Sequence, residues 1–474
     1  MGPAILRRLR ALERATRIVD PEVEAALARR WAELPERVRT PAQIVGRRMT
    51  GCEGTHGVFP RCNLACTPCY HSKDANRVRV DGPHTIAEVD RQLAHFRARR
   101  GPGQYAQLIG GEASLLDPDD HAAALERMWA HDRVPMSFTH GDVDYDYLVR
   151  LTVRPDGRPR FRLVSFAAHF DSTMLGRRGI ERPTSERELN PFRAEWCAKF
   201  ERLRREHGVR SYLAHNMTVT PANVGEVADV IRACRSMGFR LFSFQPAAFV
   251  GHQARWRGAY RALTDDDVWA EIERGAGSRL PYRAIQLGDL RCNRAVWGID
   301  TGERFVPVLD DEDPRDLAAR DAFFAAFPGN FLFVSRPLMA ARVLRAALRR
   351  PSLAPTALGV GWRLARRTGL RPLLGGVRPM TFVMHNFMDA AVVGPAWELL
   401  REGRTSDDPA IRAAQERLEA CAYSMAHPES DELVPACVQH AVLDPEANRA
   451  LARLLPLHDR SAALDAAPEP TPAA

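Results

Sequence analysis

Three cysteines lie close together near the start of the chain, in the stretch Arg61-Cys62-Asn63-Leu64-Ala65-Cys66-Thr67-Pro68-Cys69-Tyr70. Three residues separate Cys62 from Cys66, and two separate Cys66 from Cys69. Such short steps allow several thiolates to bind one metal centre without the ordering of a long loop. A mononuclear zinc site would need a fourth ligand, usually from a second Cys or His pair, and the sequence has no second C-x2-C or H-x3-5-H step. The spacing therefore favours a 4Fe–4S cluster that leaves one iron open.

The composition is that of an ordinary globular protein, with 45% apolar and 27% charged residues among 474. The formal net charge is +8, and because Lys73 and Lys199 are the only lysines, nearly all of the positive charge is arginine. Such a bias is more typical of a GC-rich genome than of a binding function. The charge permits a phosphate-bearing partner or an anionic membrane surface but requires neither, and we expect no nucleic-acid partner.

The cysteine count and the start of the chain predict a cytoplasmic protein. Residues 1–8 contain no apolar signal segment, and no run approaches the length of uncharged apolar residues that spans a membrane. An odd number of cysteines in such a chain argues for free thiols or metal ligands rather than disulfides. The nine cysteines are Cys52, Cys62, Cys66, Cys69, Cys197, Cys234, Cys292, Cys421 and Cys437.

From about residue 55 the pattern predicts short strands that alternate with helices. The predicted strands are 57–61, 104–110, 135–141, 160–169, 212–220 and 240–247. Strands separated by helices, with apolar residues on both faces, favour a parallel sheet. We therefore predict an α/β fold, a partial (β/α)6 TIM-like barrel with a helical N-terminal cap and an α+β C-terminal extension.

The same patterns divide the chain into six predicted segments. They are an N-terminal helical cap at 1–50, the partial barrel at 51–255, a strand-containing extension with Cys292 at 256–314, an Arg/Leu-rich helical insertion at 315–378, a cysteine-containing region at 379–460 and a disordered tail at 461–474. Within the cap, Asp20 can cap a helix that begins at Pro21.

The cysteine loop resembles the signature of the radical S-adenosylmethionine superfamily, and Tyr70 matches the aromatic residue that usually follows its third cysteine. The resemblance implies that Cys62, Cys66 and Cys69 hold a 4Fe–4S cluster whose open iron is chelated by S-adenosylmethionine. Reductive cleavage would then give a 5′-deoxyadenosyl radical. The alternative interpretation is a group of buried or zinc-bound cysteines.

A second motif, Gly110-Gly111-Glu112, ends the second predicted strand and resembles the superfamily's GGE motif. Glycines let the backbone approach a ligand, and a carboxylate can accept a hydrogen bond from the methionine amino group. The motif alone could be an ordinary turn. Its position on the strand after the cysteine loop favours a cofactor-binding role for Gly110, Gly111 and Glu112.

Polar residues near the ends of later predicted strands are further candidates for binding the cofactor or substrate, because such groups gather at the carboxyl ends of parallel strands. The alternative for each is a buried polar group paired with the backbone. The candidates are Ser165, Asn216 and Gln245, with His169, Asp171, Thr218 and Thr139-His140-Gly141 as looser matches.

The C-terminal part contains Cys292 directly after Gly-Asp-Leu-Arg, the stretch MHNFMD at 384–389, and Cys421 and Cys437 with fifteen residues between them. These features resemble the tetraether-lipid-synthase-like branch of the superfamily, which includes radical methylases. The resemblance implies an auxiliary iron–sulfur cluster bound by Cys292, Cys421 and Cys437, with Cys52, His385, His440 or substrate as the fourth ligand. The chain departs from the branch at Ala422-Tyr423-Ser424, where a histidine is usual, and keeps only Cys52 of the N-terminal cysteine module. The alternative is separate structural thiols. Cys197 and Cys234 lie on predicted helices, where core positions are more typical.

The two resemblances imply a radical enzyme that abstracts hydrogen from an unactivated C–H bond of a hydrophobic or lipid-like substrate, in C–C coupling or methylation. A peptide-modifying maturase with an auxiliary cluster is the enzymatic alternative, and a non-catalytic iron–sulfur or zinc protein is the alternative from another class. The expected electron donor is a flavodoxin or ferredoxin. The insertion at 315–378 is either a basic surface that meets the inner face of the membrane or an ordinary helical layer.

Overall fold

The computed structural model of the chain describes residues 16–71, 73–250, 263–329, 336–369 and 376–457, together with residues 5, 6, 12, 13 and 372. The predicted tail at 461–474 lies outside the described residues, as do most of residues 1–15 of the predicted cap and residues 251–255 of the predicted barrel.

Thirteen strands lie within the described part of the chain. In chain order they are β1 Cys52–Gly54, β2 Ala65–Cys66, β3 Gln104–Leu108, β4 Arg133–Thr139, β5 Val164–His169, β6 Met174–Leu175, β7 Ser211–Val219, β8 Leu241–Pro246, β9 Asn293–Asp300, β10 Phe305–Pro307, β11 Arg378–His385, β12 Tyr423–His427 and β13 Glu432–Pro435.

Eleven of these strands form one sheet in the order β10-β9-β11-β8-β7-β5-β4-β3-β1-β12-β13. The strands from β11 to β12 in this order all run parallel, whereas β9, β10 and β13 extend the two ends antiparallel. The curved parallel sheet confirms the predicted α/β partial barrel. The C-terminal region widens that barrel, because it adds β11 beside β8 and β12 beside β1.

The first predicted strand, 57–61, is wrong. The edge of the predicted barrel is instead β1, which ends at Gly54, and residues 57–61 form a loop. Gly57 adopts a φ of +68°, which lies outside the strand region. Pro60 lacks the amide hydrogen that a strand interior needs. The other five predicted strands correspond to β3, β4, β5, β7 and β8.

Thirteen α-helices of eight or more residues lie within the described part of the chain. In chain order they are α1 Pro21–Glu33, α2 Gly82–Arg100, α3 Pro118–Ala130, α4 Tyr145–Thr152, α5 Asn190–His207, α6 Val227–Cys234, α7 Asp265–Ala276, α8 Pro314–Ala326, α9 Arg336–Arg349, α10 Leu353–Thr368, α11 Ala390–Arg401, α12 Pro409–Glu419 and α13 Asp444–Leu454. As predicted, Asp20 caps α1 and accepts a hydrogen bond from the Glu22 amide at 2.9 Å. Among the described helices, none has the length and apolar character needed to cross a membrane.

Successive residues of each strand point to opposite faces of the sheet. Phe166 of β5 packs against Trp196 and Phe200 of α5, with ring centroids 5.7 and 5.2 Å apart, so its face is covered by helices. We call the opposite face the inner face. A row of aligned residues crosses it on β5, β7, β8, β11 and β9, namely His169, Asn216, Ser243, Val383 and Ala295.

Candidate functional site

The end of β3 holds the segment that leads into the cysteine loop. The Gly111 amide donates to the Phe59 carbonyl at 2.7 Å, and the Glu112 amide donates to the Arg61 carbonyl at 2.9 Å. A Cβ atom at Gly111 would overlap the Arg61 carbonyl group. The glycine therefore permits an approach of two backbones that fixes the position of Cys62.

A second set of contacts holds the loop from the other side. Cys66 of β2 pairs with Met174 of β6, in the segment that follows β5. The Thr67 amide donates to the Thr173 carbonyl at 3.1 Å, and the Cys62 amide donates to Asn76 Oδ1 at 3.1 Å. The loop is thus bonded to the ends of two barrel strands, β3 and β5.

The three cysteines of the loop are each half-buried. Burial, the charge of Glu112 and the nearby Cys69 thiol raise the pKa of Cys62 to about 12, while the Leu64 amide, 3.4 Å from its Sγ, opposes that rise. Without metal the Cys62 thiol is therefore protonated at neutral pH, and metal binding must displace its proton.

Within the described ranges, no group of three or more His, Cys, Asp or Glu side chains is spaced to hold a single metal ion. That finding concerns ligands that converge on one ion. In a four-iron cluster each thiolate binds a different iron, and three half-buried thiols on one anchored loop supply a suitable set of donors. The residues present therefore fit such a cluster.

Glu112 is fully buried and joins the ends of β3 and β4. Its Oε1 accepts from the Ser114 amide at 2.9 Å and the Thr139 hydroxyl at 2.7 Å, and its Oε2 accepts from the His140 amide at 2.7 Å. Protein groups thus already occupy both carboxylate oxygens. A direct contact of Glu112 with S-adenosylmethionine stays a prediction.

His140 connects β4 to the cysteine loop. Its Nδ1 accepts from the Asp142 amide at 3.0 Å, so its Nε2 carries the proton and donates to Asn63 Oδ1 at 2.9 Å. Burial lowers the pKa of His140, which keeps the ring neutral. Arg177, itself buried, donates to the His140 carbonyl at 2.6 Å.

Tyr70 connects the cysteine loop to the C-terminal region. Its hydroxyl donates to the Gly110 carbonyl at 2.9 Å, and its ring lies 4.5 Å from that of His440. Burial, followed by the nearby Cys69, raises the pKa of Tyr70. His440 is in turn bonded to Asp444 at 2.7 Å. A cofactor contact by Tyr70 remains a prediction, and its observed contacts make it an anchor of the loop.

The polar residues predicted on later strands share the inner face. Ser165, Asn216 and Gln245 lie on the same face of β5, β7 and β8 at different levels along the strands, because Asn216 is aligned with His169 and Ser243. Ser165 and Asn216 are buried. Gln245 donates from Nε2 to Ser243 Oγ at 2.7 Å, but its buried Oε1 has no partner within the described residues. A buried acceptor without a partner costs about 1–3 kcal/mol, so this oxygen is suited to a ligand's hydrogen-bond donor.

His169 and Asp171 form a fixed pair at the end of β5. Asp171 is fully buried, lies 2.5 Å from His169 Nε2 and accepts from the Thr218 amide at 2.8 Å. Burial by itself would raise the pKa of Asp171, but His169, Thr173 and Thr218 lower it to about 2. The half-buried His169 ring is therefore oriented by a carboxylate that is charged at neutral pH.

The three predicted auxiliary cysteines lie beside strands from both ends of the sheet and are near enough to affect one another's pKa. Cys292 directly precedes β9, whereas Cys421 and Cys437 flank β12 and β13. Burial raises the pKa of Cys437 to about 12, with further contributions from Cys421 and Cys292. Burial also raises the pKa of Cys52 to about 12, and Cys421 adds to it.

Protein groups already engage two of these thiols. Arg417 Nε lies 3.2 Å from Cys292 Sγ, and the Cys421 thiol donates to the Tyr423 carbonyl at 3.0 Å. His385 is one of the residues predicted as a fourth ligand, and its Nδ1 lies 2.6 Å from Asn293 Oδ1. Burial lowers the pKa of His385 to about 4. An auxiliary cluster stays a prediction.

Cys197 and Cys234 are buried in the main hydrophobic core on α5 and α6, as predicted. Asn63, Arg177 and Arg417 were not predicted from the sequence. Asn63 occupies one of the variable positions between Cys62 and Cys66, and the two arginines are not distinguished in sequence from the many other arginines of the chain.

The structure also contains a large apolar cavity for which the sequence carries no local signal. Its volume is about 780 Å³, and it lies between β9 and the helices α8, α9 and α10. Ala295 and Trp297, which line it, belong to the inner face. Two strand spacings, roughly 10 Å, separate Ala295 from Ser243, so the cavity wall continues the face that carries Asn216 and His169.

No family model matches the sequence, and no curated protein matches it significantly. Among solved structures, native anSMEcpe with bound AdoMet and Cp18Cys peptide aligns with a TM-score of 0.29 and 13% identity, over 41% of this chain and 50% of that chain. Native anSMEcpe with bound AdoMet aligns with a TM-score of 0.31 and 14% identity, over 47% and 58%. The chain spans little more than half of these proteins, and such distant likenesses assign it to no family.

Proposed function

We propose that the protein is a radical enzyme that binds a 4Fe–4S cluster through Cys62, Cys66 and Cys69 and cleaves S-adenosylmethionine reductively. The observation that carries this proposal is the anchored cysteine loop, held against β3 by Gly111 and against β4 by the bond from His140 to Asn63. When bound, such a cluster supplies one electron to S-adenosylmethionine, whose cleavage yields a radical able to abstract hydrogen.

The inner face beside the loop is suited to hold the nucleoside. Asn216 and Gln245 are polar groups on aligned strands, and the unpartnered Gln245 Oε1 would accept a hydrogen bond from a ligand hydroxyl or amine. The His169 ring, which Asp171 holds in place, would form a second polar contact with the ligand. These residues bind and position the ligand and exclude water from it.

The central experiment is anaerobic reconstitution with iron and sulfide, followed by dithionite, S-adenosylmethionine and chromatography for 5′-deoxyadenosine. We expect the product from the wild type and its loss in Cys62→Ala. Cys234→Ala is the matched control, because that thiol is a core residue far from the loop in sequence. An intact cluster that leaves S-adenosylmethionine uncleaved would refute the radical function and favour a non-catalytic iron–sulfur protein.

We further propose a hydrophobic or lipid-like substrate that undergoes C–C coupling or methylation. The apolar cavity of about 780 Å³ supports this, because Ala295 in its wall is aligned with Ser243 and Asn216 on the inner face. Organic extraction of purified protein and mass spectrometry would test it. We expect an amphiphile that Trp297→Arg protein no longer retains, and retention of a peptide instead would favour a maturase.

The auxiliary cluster is a separate proposal, supported by the proximity of Cys292, Cys421 and Cys437. Iron and sulfide analysis of the Cys62/Cys66/Cys69→Ala protein tests it. Residual iron that disappears when Cys421 is also replaced supports the second cluster. Complete absence of iron from the first variant would remove it. An external flavodoxin or ferredoxin is the proposed electron donor.

A further inference from the structure

Helices α9 and α10 carry a concentration of positive charge, and we call residues 336–368 the arginine hairpin. It contains no Asp, Glu, Lys or His. Its eight arginines together carry a charge of +8, which is as large as the formal net charge of the whole chain. They are Arg336, Arg342, Arg345, Arg349, Arg350, Arg363, Arg366 and Arg367.

Only part of this charge is compensated by other segments. Arg363 and Arg367 share the buried Asp316 of α8, and Arg345 binds Glu13 at 3.2 Å. Arg349 and Arg366 are exposed, and neither forms a salt bridge within the part of the chain that the structure describes. The hairpin therefore presents a strongly basic surface.

Large apolar side chains are exposed on the same two helices. On α9, Leu344 and Leu348 are 60% and 74% exposed, and on α10, Leu358 and Trp362 are 75% and 67% exposed. Each pair is four residues apart and so lies on one side of its helix. Contiguous exposed apolar residues rimmed by polar groups mark an interaction surface.

We propose that the arginine hairpin docks on an anionic lipid bilayer, with its leucines and Trp362 in the interface and its arginines against the headgroups. Basic residues beside exposed leucine and tryptophan are the composition of interfacial helices. A second copy of the chain is a poor occupant, since two surfaces of the same sign repel. A protein partner would have to supply many acidic groups around an apolar centre.

The apolar cavity favours a lipid bilayer, with its acyl chains, over a free headgroup as the partner of the arginine hairpin. Val343 and Leu358 line the cavity and are also exposed, so the cavity opens on the hairpin surface. Docking would bring its mouth against the acyl chains. This inference stands on the hairpin's own charge and exposure and holds whether or not the protein is a radical enzyme.

Flotation of the purified full chain with vesicles tests the proposal, with no need for a cluster. We expect binding to phosphatidylcholine vesicles that contain phosphatidylglycerol and much weaker binding to phosphatidylcholine alone. Each basic residue near such a surface contributes about 1 kcal/mol, so Arg349→Glu/Arg366→Glu should weaken binding roughly thirtyfold or more. Leu348→Ser/Leu358→Ser should weaken it through the loss of apolar insertion.

Matched controls reverse charge or remove apolar surface elsewhere. Arg158→Glu/Arg205→Glu changes two exposed arginines outside the hairpin, and Leu454→Ser removes an exposed leucine of α13. Both should float like the wild type. Equal flotation of hairpin and control variants would overturn the proposal. So would a wild type that binds neither vesicle but forms a dimer that Leu348→Ser/Leu358→Ser dissociates.

Discussion

Replacing Gly111 by alanine removes the close approach between β3 and the segment before Cys62. The added Cβ would overlap the Arg61 carbonyl, so the two backbones must separate. The hydrogen bonds from the Gly111 and Glu112 amides, 2.7 and 2.9 Å long, would then be lost or stretched. At about 1 kcal/mol each, the loop loses about 2 kcal/mol of docking free energy, which lowers the ratio of docked to undocked loop roughly thirtyfold.

This loss is local, so iron retention should change more than global stability. The assay is iron and sulfide content after reconstitution and desalting, compared with the melting temperature of the same sample. Gly225→Ala is the control, because a Cβ there meets nothing within 4 Å. We expect Gly111→Ala to lose iron while Gly225→Ala retains it. Equal iron content in the two variants would refute the argument that Gly111 holds the cysteine loop.

Three further predictions concern buried polar contacts. Arg133 and Glu53 form a buried ion pair at 2.8 Å, so Arg133→Met should cost about 3–5 kcal/mol in denaturant unfolding, and a loss below 1 kcal/mol would contradict the burial argument. The folded-state pKa of Asp171, about 2, lies below its unfolded value of 3.8. The ionised Asp171 carboxylate therefore stabilises the folded state by about 2 kcal/mol above about pH 4, and this contribution is lost towards pH 2. Asp171→Asn should flatten stability in that window, and an unchanged acid limb would contradict it. His140→Phe should reduce cluster retention because Asn63 loses its donor, while His140→Gln should restore part of it.

The barrel elements were predicted well where the signals for them, such as helix-end residues and alternation along a strand, lie within the element itself. Helix α5 carries such signals at both ends, because Pro191 lies in its first turn and Gly208, in the left-handed region, ends it. Alternation along strands likewise puts Ser165, Asn216 and Gln245 on one face once β5, β7 and β8 are adjacent and parallel. The predicted strand at 57–61 failed because its apolar residues outweighed the signals of Gly57 and Pro60.

Pairings between distant segments could not be predicted from such patterns. Cys52 of β1 pairs with Tyr423 of β12, and nothing within either short strand specifies the other. The contact of Arg417 with Cys292 and the cavity between β9 and the arginine hairpin depend on the same long-range packing. Many arginines are equivalent in sequence, so only burial and geometry select the one that lies beside a thiol.

Residue types and their spacing were enough to predict a metal-bound cofactor and the residues that would hold it. The spacing of Cys62, Cys66 and Cys69 and the paired glycines before Glu112 are local features, and they identify one loop and one strand end. Tertiary structure decided how these parts meet. Gly111 holds the backbone before the loop, and His140 fixes Asn63 within it. These contacts join residues far apart in the chain, and their energies depend on distances and burial that exist only once the sheet has assembled.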